Sequence, residues 1–188
     1  MIEAPATSGG LDASTDVAIV GAGILGLAHA AAAVKRGLRV TVFERSDIAV
    51  GASIRNFGQM LVTGQPPGIM LDLARESRAL YLDWADKAGI FARANGALLF
   101  ARNAAEEDVL DEFMATRAPA FGYNVKLLRS ADLANLYDGR FLRHRAALQG
   151  VDDLQLYSRE AIPALASWLA KQGVRFHCLL YTSDAADE

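Results

Sequence analysis

Three glycines and one glutamate carry the chemistry that can be read directly from this chain. Gly21, Gly23 and Gly26 stand in a G-x-G-x-x-G pattern within residues 16–26, DVAIVGAGILG, and Glu44 follows eighteen residues after Gly26. A glycine at 21 permits a sharp turn out of a strand. A glycine at 23 leaves no side chain to block a diphosphate, and one at 26 lets a helix pack closely on the strand. The helix opening at Ile24 begins with N–H groups that have no intrahelical partner, and its dipole adds partial positive charge, so an anion is favoured there. A carboxylate about 20 residues beyond such a turn accepts hydrogen bonds from ribose hydroxyls. Glu44 would repel a 2′-phosphate, which argues against NADP. Arg45, next to it, either covers an adenine or stays solvated. The plain alternative is a glycine-rich strand–helix turn that holds no ligand.

The elements that must position these residues follow from the hydrophobic pattern. Val17–Val20 is a continuous apolar run, expected of a parallel strand buried on both faces. A helix over about residues 24–36 is small and apolar through Ala28 and Ala30 to Ala33. It ends on Lys35 and Arg36, where the dipole favours cations, with Gly37 as a left-handed stop. A second apolar run, Val40–Phe43, leads straight into Glu44. Strand, turn, helix, strand and acid together form a βαβ unit that grips the ADP half of a dinucleotide.

The segment after Glu44 separates flavin from nicotinamide. In a nicotinamide dehydrogenase the chain would usually enter another helix. Here residues 46–59, SDIAVGASIRNFGQ, are small and polar with no sustained helical period. They suit an extended path along a cofactor, offering backbone N–H groups and the side chains of Ser53, Arg55 and Asn56. On Gly51-Ala52-Ser53, Arg55-Asn56 and Gly58-Gln59 the chain resembles the flavin-contacting loop of the D-amino-acid oxidase superfamily, which includes glycine and sarcosine oxidases and D-amino-acid dehydrogenases. A narrower resemblance, on Arg55-Asn56-Phe57-Gly58-Gln59, is to a subgroup associated with aminophosphonate breakdown.

The resemblance implies FAD, with Ser53 and Asn56 near its pyrophosphate or isoalloxazine. The family's covalent attachment points are often His or Cys, and neither occurs between Glu44 and Gln59, so noncovalent FAD is expected. The implied reaction is oxidation of a C–N bond in a small amine or amino acid by hydride transfer to flavin N5. It needs no ionisable catalytic side chain beyond a deprotonated substrate amine, and no catalytic residue is assigned. The expected cofactor contacts are Gly21, Gly23, Ile24, Gly26, Glu44, Arg45, Ser53, Arg55 and Asn56. The alternatives are that Ser53 and Asn56 only satisfy loop backbone, that the protein is an NAD- or flavin-dependent reductase of another family, or that it is a noncatalytic nucleotide-binding module.

The expected fold class is α/β, with a Rossmann-like FAD-binding βαβ layer interleaved with part of an α+β substrate domain and truncated at its C-terminal side. Residues 1–14 read as a flexible lead-in without a signal-peptide pattern. Residues 15–60 and 152–177 are assigned to a partial FAD-binding domain, and 61–151 to a partial substrate domain. Within these, helices are expected over about 69–88, from about 104, over 131–137 and over about 159–172, with Asn103, Ser130 and Ser158 as N-caps. Strands are expected at 96–101, 125–128, 146–150 (strand or edge) and from 173. Met70 and Trp84 read as core. Members of the resembled family are longer chains, so this polypeptide alone is expected to be an inert fragment of its parent.

Other classes find little support. The chain has 188 residues, 52% of them apolar and 22% charged, with net charge −3 and no basic stripe, which disfavours nucleic-acid binding. There is no metal-ligand spacing and no Ser/His/Asp or Cys/His arrangement. No apolar run is long enough to span a bilayer; a cytoplasmic location is the default expectation. Glu106, Glu107 and Asp108 read as helix-dipole charge rather than a metal site. His29 reads as packed or solvated, and His144 with Arg140, Arg143 and Arg145 as a solvated basic patch.

Residues 178–188, CLLYTSDAADE, resemble a translated transposon-end sequencing adapter and contain the single Cys, so cysteine usage says nothing about redox compartment. Sequencing the source genome across codon 177 tests this. Divergence from the CLLYTSDAADE reading after that codon is the expected result, and uninterrupted genomic coding through Glu188 would defeat it.

Overall fold

The computed structural model describes residues 14–47, 49–136, 138–140 and 143–178. Apart from Ser14 and Cys178, the expected lead-in and adapter-like tail lie outside these, as does Tyr137 at the end of one expected helix. In chain order the elements are β1 (Val17–Val20), α1 (Ile24–Lys35), β2 (Val40–Phe43), a 3-10 turn (Ala52–Ile54), β3 (Gln59–Met60), α2 (Ile69–Ala88), β4 (Ala92–Arg93) and β5 (Ala97–Ala101). Then follow α3 (Ala104–Ala115), α4 (Arg117–Phe121), β6 (Val125–Arg129), α5 (Ser130–Leu136), β7 (Ala146–Gly150), β8 (Leu154–Leu156), α6 (Ser158–Lys171) and β9 (Arg175–His177). The chain divides into two compact units. One holds the residues up to Phe57, Trp84–Phe91 and the chain from Tyr157 on; the other holds Gly58–Asp83 and Ala92–Leu156.

The first unit is built on a parallel sheet of order β1-β2-β9, with Val17 paired to Val40 and Phe43 to His177. Central β2 buries Val40 and Val42 completely or nearly so. Helix α1 turns Leu27, Ala30, Ala31 and Ala33 inward and packs against α6, which contributes Ala161, Ile162, Leu165 and Leu169. Alanines on α1 leave room for the larger side chains of α6. At the far end of β1, the Asp16 carboxylate accepts from the backbone and guanidinium of Arg39, and that pairing holds it well below the usual carboxylate range.

One close approach determines how α1 leaves the sheet. A Cβ at Gly26 would run into the carbonyl oxygen of Gly21 and press within 3.3 Å of Ile19. The expectation that β1 is buried on both faces is corrected. Ile19 meets α1, but successive strand residues alternate faces, and Val20 on the other face is 91% exposed. An apolar run cannot by itself distinguish a central strand from the edge position that β1 occupies among the described strands.

The second unit carries two antiparallel three-stranded sheets, β3-β8-β4 and β5-β7-β6. Strand β7 lies at the centre of its sheet rather than at an edge, pairing Leu148 with both Leu99 and Leu127. Ala101, Leu110, Ala146 and Leu148 form one core cluster, and Leu128, Leu133 and Ala147 another. Asn103 caps α3 as expected, accepting from Glu106 N at 3.0 Å. The acidic first turn of α3 also does more than complement a dipole. Glu107 bridges Arg129 and Arg145 at 2.6 Å each, so Arg145 is not simply part of a solvated patch. The hydrogen bond from Arg145 is the largest influence drawing the Glu107 carboxyl below its ordinary range. His144 lies tilted against Phe100, with ring centroids 4.3 Å apart. Trp84 is buried as expected, whereas Met70 is half exposed.

Asp153 is a buried carboxylate that the sequence pattern did not single out. Its Oδ1 accepts from the backbone of Val62 at 2.6 Å and Thr63 at 2.9 Å, tying the chain after β3 to the start of β8.

Three substitutions test this account in urea titrations. Gly26→Ala is expected to cost ~3 kcal/mol through overpacking against the Gly21 carbonyl. Asp153→Ala is expected to cost about 2 kcal/mol by leaving the buried Val62 N–H and the partly buried Thr63 N–H without an acceptor, while Asp153→Asn, which keeps one acceptor oxygen, retains most of that stability. Wild-type midpoints for both Ala variants would contradict it.

Candidate functional site

The glycine turn joins β1 to α1 beside the C-terminal end of β2. Gly21 has φ +99°, a conformation that side chains with a Cβ rarely adopt, and its N–H donates to Phe43 O at 2.7 Å. The next amide, Ala22 N–H, donates to Glu44 Oε2 at 2.8 Å, and Glu44 Oε1 accepts from Ser46 N–H at 3.0 Å. The carboxylate thus links the turn to the loop that follows β2, and Glu44's own N–H donates to His177 O of β9 at 2.9 Å. An ionised carboxylate has about four acceptor positions, so two backbone bonds leave capacity for further donors.

Helix α1 opens without a local cap. Gly23 offers no side chain, and there is no acidic residue in the first turn. The amide of Ile24 instead donates at 3.0 Å to Ser53 Oγ, a hydroxyl from the 3-10 turn. Gly23 leaves room for this approach, because a Cβ there would sit 3.0 Å from that same oxygen, tighter than ordinary van der Waals contact.

The 3-10 turn is a local departure from the extended path expected for residues 46–59. It is closed by Ile54 N–H to Gly51 O and Arg55 N–H to Ala52 O, both at 3.2 Å. Asn56 reinforces it, with Nδ2 donating to the carbonyls of Ala52 at 2.9 Å and Ser53 at 3.0 Å. The Asn56 amide therefore does bind loop backbone, whereas Ser53 reaches out of the loop to α1.

Gly21, Gly23, Ile24, Gly26, Glu44 and Ser53 converge on one turn, and Asn56 braces the 3-10 turn that carries Ser53. Arg45 and Arg55 are exposed. Cys178 lies near Glu44 and Asp47; burial first, and then those two carboxylates, push its thiol pKa up. Among the described residues no His, Cys, Asp and Glu group is arranged to hold a metal ion, and no helix is long and apolar enough to cross a membrane.

Sequence reasoning missed one contributor. It assigned Ser158 as the N-cap of a helix beginning near residue 159. Helix α6 begins at Ser158 itself, Tyr157 occupies the cap position without a side-chain bond, and the Ser158 hydroxyl donates to Asn56 Oδ1 at 2.7 Å. A serine before an apolar helical run carries the same signal in either role. Only the tertiary arrangement shows that its partner lies 102 residues away.

Comparison with known proteins agrees with this geometry. No curated protein sequence matches the chain. Among solved structures it is similar to the L-amino acid deaminase from Proteus vulgaris, with TM-score 0.80 and 25% identity over 92% of this chain and 41% of that one. It is similar also to glycine oxidase from Bacillus cereus, with TM-score 0.76 and 25% identity over 88% of this chain and 48% of that one. A third, L-α-glycerophosphate oxidase from Mycoplasma pneumoniae with FAD bound, has TM-score 0.75 and 23% identity over 88% of this chain and 44% of that one, a likeness of fold alone. The chain thus spans less than half the length of each of these proteins. The fold is the α/β Rossmann-like fold of FAD-binding proteins. A family model described as FAD dependent oxidoreductase matches residues 16–179, and the chain belongs to that family.

Proposed function

We propose that this chain supplies the ADP-binding part of a flavoenzyme that oxidises a C–N bond of a small amine or amino acid. One observation carries the cofactor half of the reading. The turn that frees the start of α1 is flanked on one side by the Glu44 carboxylate and on the other by the Ser53 hydroxyl, each within 3.0 Å of a turn amide. This arrangement fits a dinucleotide. The start of α1 and the space kept open by Gly23 suit a pyrophosphate, with Ser53 Oγ able to turn its proton toward a phosphate oxygen. Glu44 retains acceptor positions for ribose hydroxyls and disfavours a 2′-phosphate. Gly21, Ile24 and Gly26 shape the cradle. Asn56 holds the 3-10 turn; in this reading Arg45 covers the adenine and Arg55 offers its side chain along the cofactor.

The substrate half rests on similarity to an amino acid deaminase and a glycine oxidase at 25% identity. Bound noncovalently, FAD would supply the hydride acceptor at N5. In this reading the first unit belongs to the FAD-binding domain and the second to part of the substrate domain. The narrower aminophosphonate-associated subgroup is kept as a substrate class to assay.

The full-length protein, expressed from the complete reading frame, is expected to purify yellow with flavin absorption bands and to reduce an artificial acceptor when given amino acids or small amines. A colourless protein that binds NAD instead would overturn the reading. Gly23→Val is expected to abolish FAD retention by placing methyl groups where Ser53 and a pyrophosphate must lie. Glu44→Ala is expected to weaken it about tenfold or more, the loss of charge-assisted hydrogen bonds to ribose. Flavin-to-protein absorbance ratios of the purified variants measure both, and a Gly23→Val protein that keeps its flavin would contradict the assignment.

A further inference from the structure

We propose that Ser158 is a positioning residue for the cofactor-facing turn, acting through Asn56 on Ser53. The inference rests on the cofactor reading given above. Four linked hydrogen bonds, all within the first unit, carry it. Ser158 Oγ donates to Asn56 Oδ1 at 2.7 Å. Asn56 Nδ2 donates to the Ala52 and Ser53 carbonyls at 2.9 and 3.0 Å. Ser53 Oγ accepts from Ile24 N–H at 3.0 Å.

The orientation of the Asn56 amide is determined by this set. Two carbonyls on one side require its NH2 there, so its oxygen faces Ser158, whose hydroxyl must then be the donor. Ser53 Oγ sits 3.0 Å from the Ile24 amide, so a displacement of the 3-10 turn away from α1 lengthens or breaks that bond. Helix α6 packs on this turn and starts with no side-chain cap. Its first side chain is therefore committed to the loop rather than to its own helix, which would ordinarily gain from a serine cap. The α6 start thereby holds the phosphate-side contact at the start of α1, although the two segments are far apart in sequence.

The test is a double-mutant cycle in the full-length holoprotein, reading FAD affinity by recovery of flavin fluorescence on dilution. Ser158→Ala is expected to weaken FAD binding about three- to tenfold, the scale of one hydrogen bond. Ser158→Thr, which keeps the hydroxyl, is expected to restore it. In a Ser53→Ala background Ser158→Ala is expected to have no further effect, a coupling that a general loosening of α6 would not produce. If Ser158→Ala does not fold, Ser158→Cys keeps the side-chain size with a weak donor and carries the same comparison. Unchanged affinity in Ser158→Ala, or an equal loss with and without Ser53, would overturn the inference. Failure of wild-type protein to bind FAD at all would overturn the cofactor reading instead.

Discussion

There is no room for a Cβ between Gly26 and the Gly21 carbonyl, and the candidate site depends on that close approach. Helix α1 can leave β1 at this angle only if its third residue has no side chain. That angle brings the Ala22 amide to Glu44 and the Ile24 amide to Ser53. A helix displaced by the width of a methyl group would move both amides away from those partners. Interiors are packed too tightly to absorb such a shift locally.

Around this contact the turn is held from two directions. Glu44 reaches it from the end of β2, a strand locked in the centre of the parallel sheet. Ser53 reaches it from a short 3-10 turn that has little hydrophobic anchoring of its own and is braced by Asn56 and Ser158. The two partners therefore differ in rigidity. The carboxylate sits on a sheet, and the hydroxyl sits on a loop steadied by side-chain hydrogen bonds.

The second unit uses different means. Its β5-β7-β6 sheet packs with α3 and α5 through buried clusters around β7, and two carboxylates have distinct tasks. Asp153 satisfies backbone amides in the interior, where an unpaired donor is costly. Glu107 bridges two arginines near the surface, where solvent screens much of the attraction. Neither role was evident from composition. Asp153 stands beside Asp152 in the sequence, and nothing local distinguishes the buried one. Glu107 lies in an acidic helix start whose charges have a sufficient local explanation.

The glycine spacing, the strand–helix–strand alternation and the acid after β2 were determined locally, because backbone φ, helix periodicity and the reach of one carboxylate operate over a few dozen residues. The same holds for α2, whose bounds follow from its apolar period and the glycine after it, and for the Asn103 cap, whose partner is three residues on. Tertiary structure alone decided that β1 exposes Val20, that β7 is central, that Met70 is half exposed and that Ser158 serves Asn56 rather than its own helix. Each of these depends on which distant segment arrives at a given face. An apolar or hydroxyl side chain has the same local preferences whichever partner it meets, so its environment is settled only when the chain closes on itself.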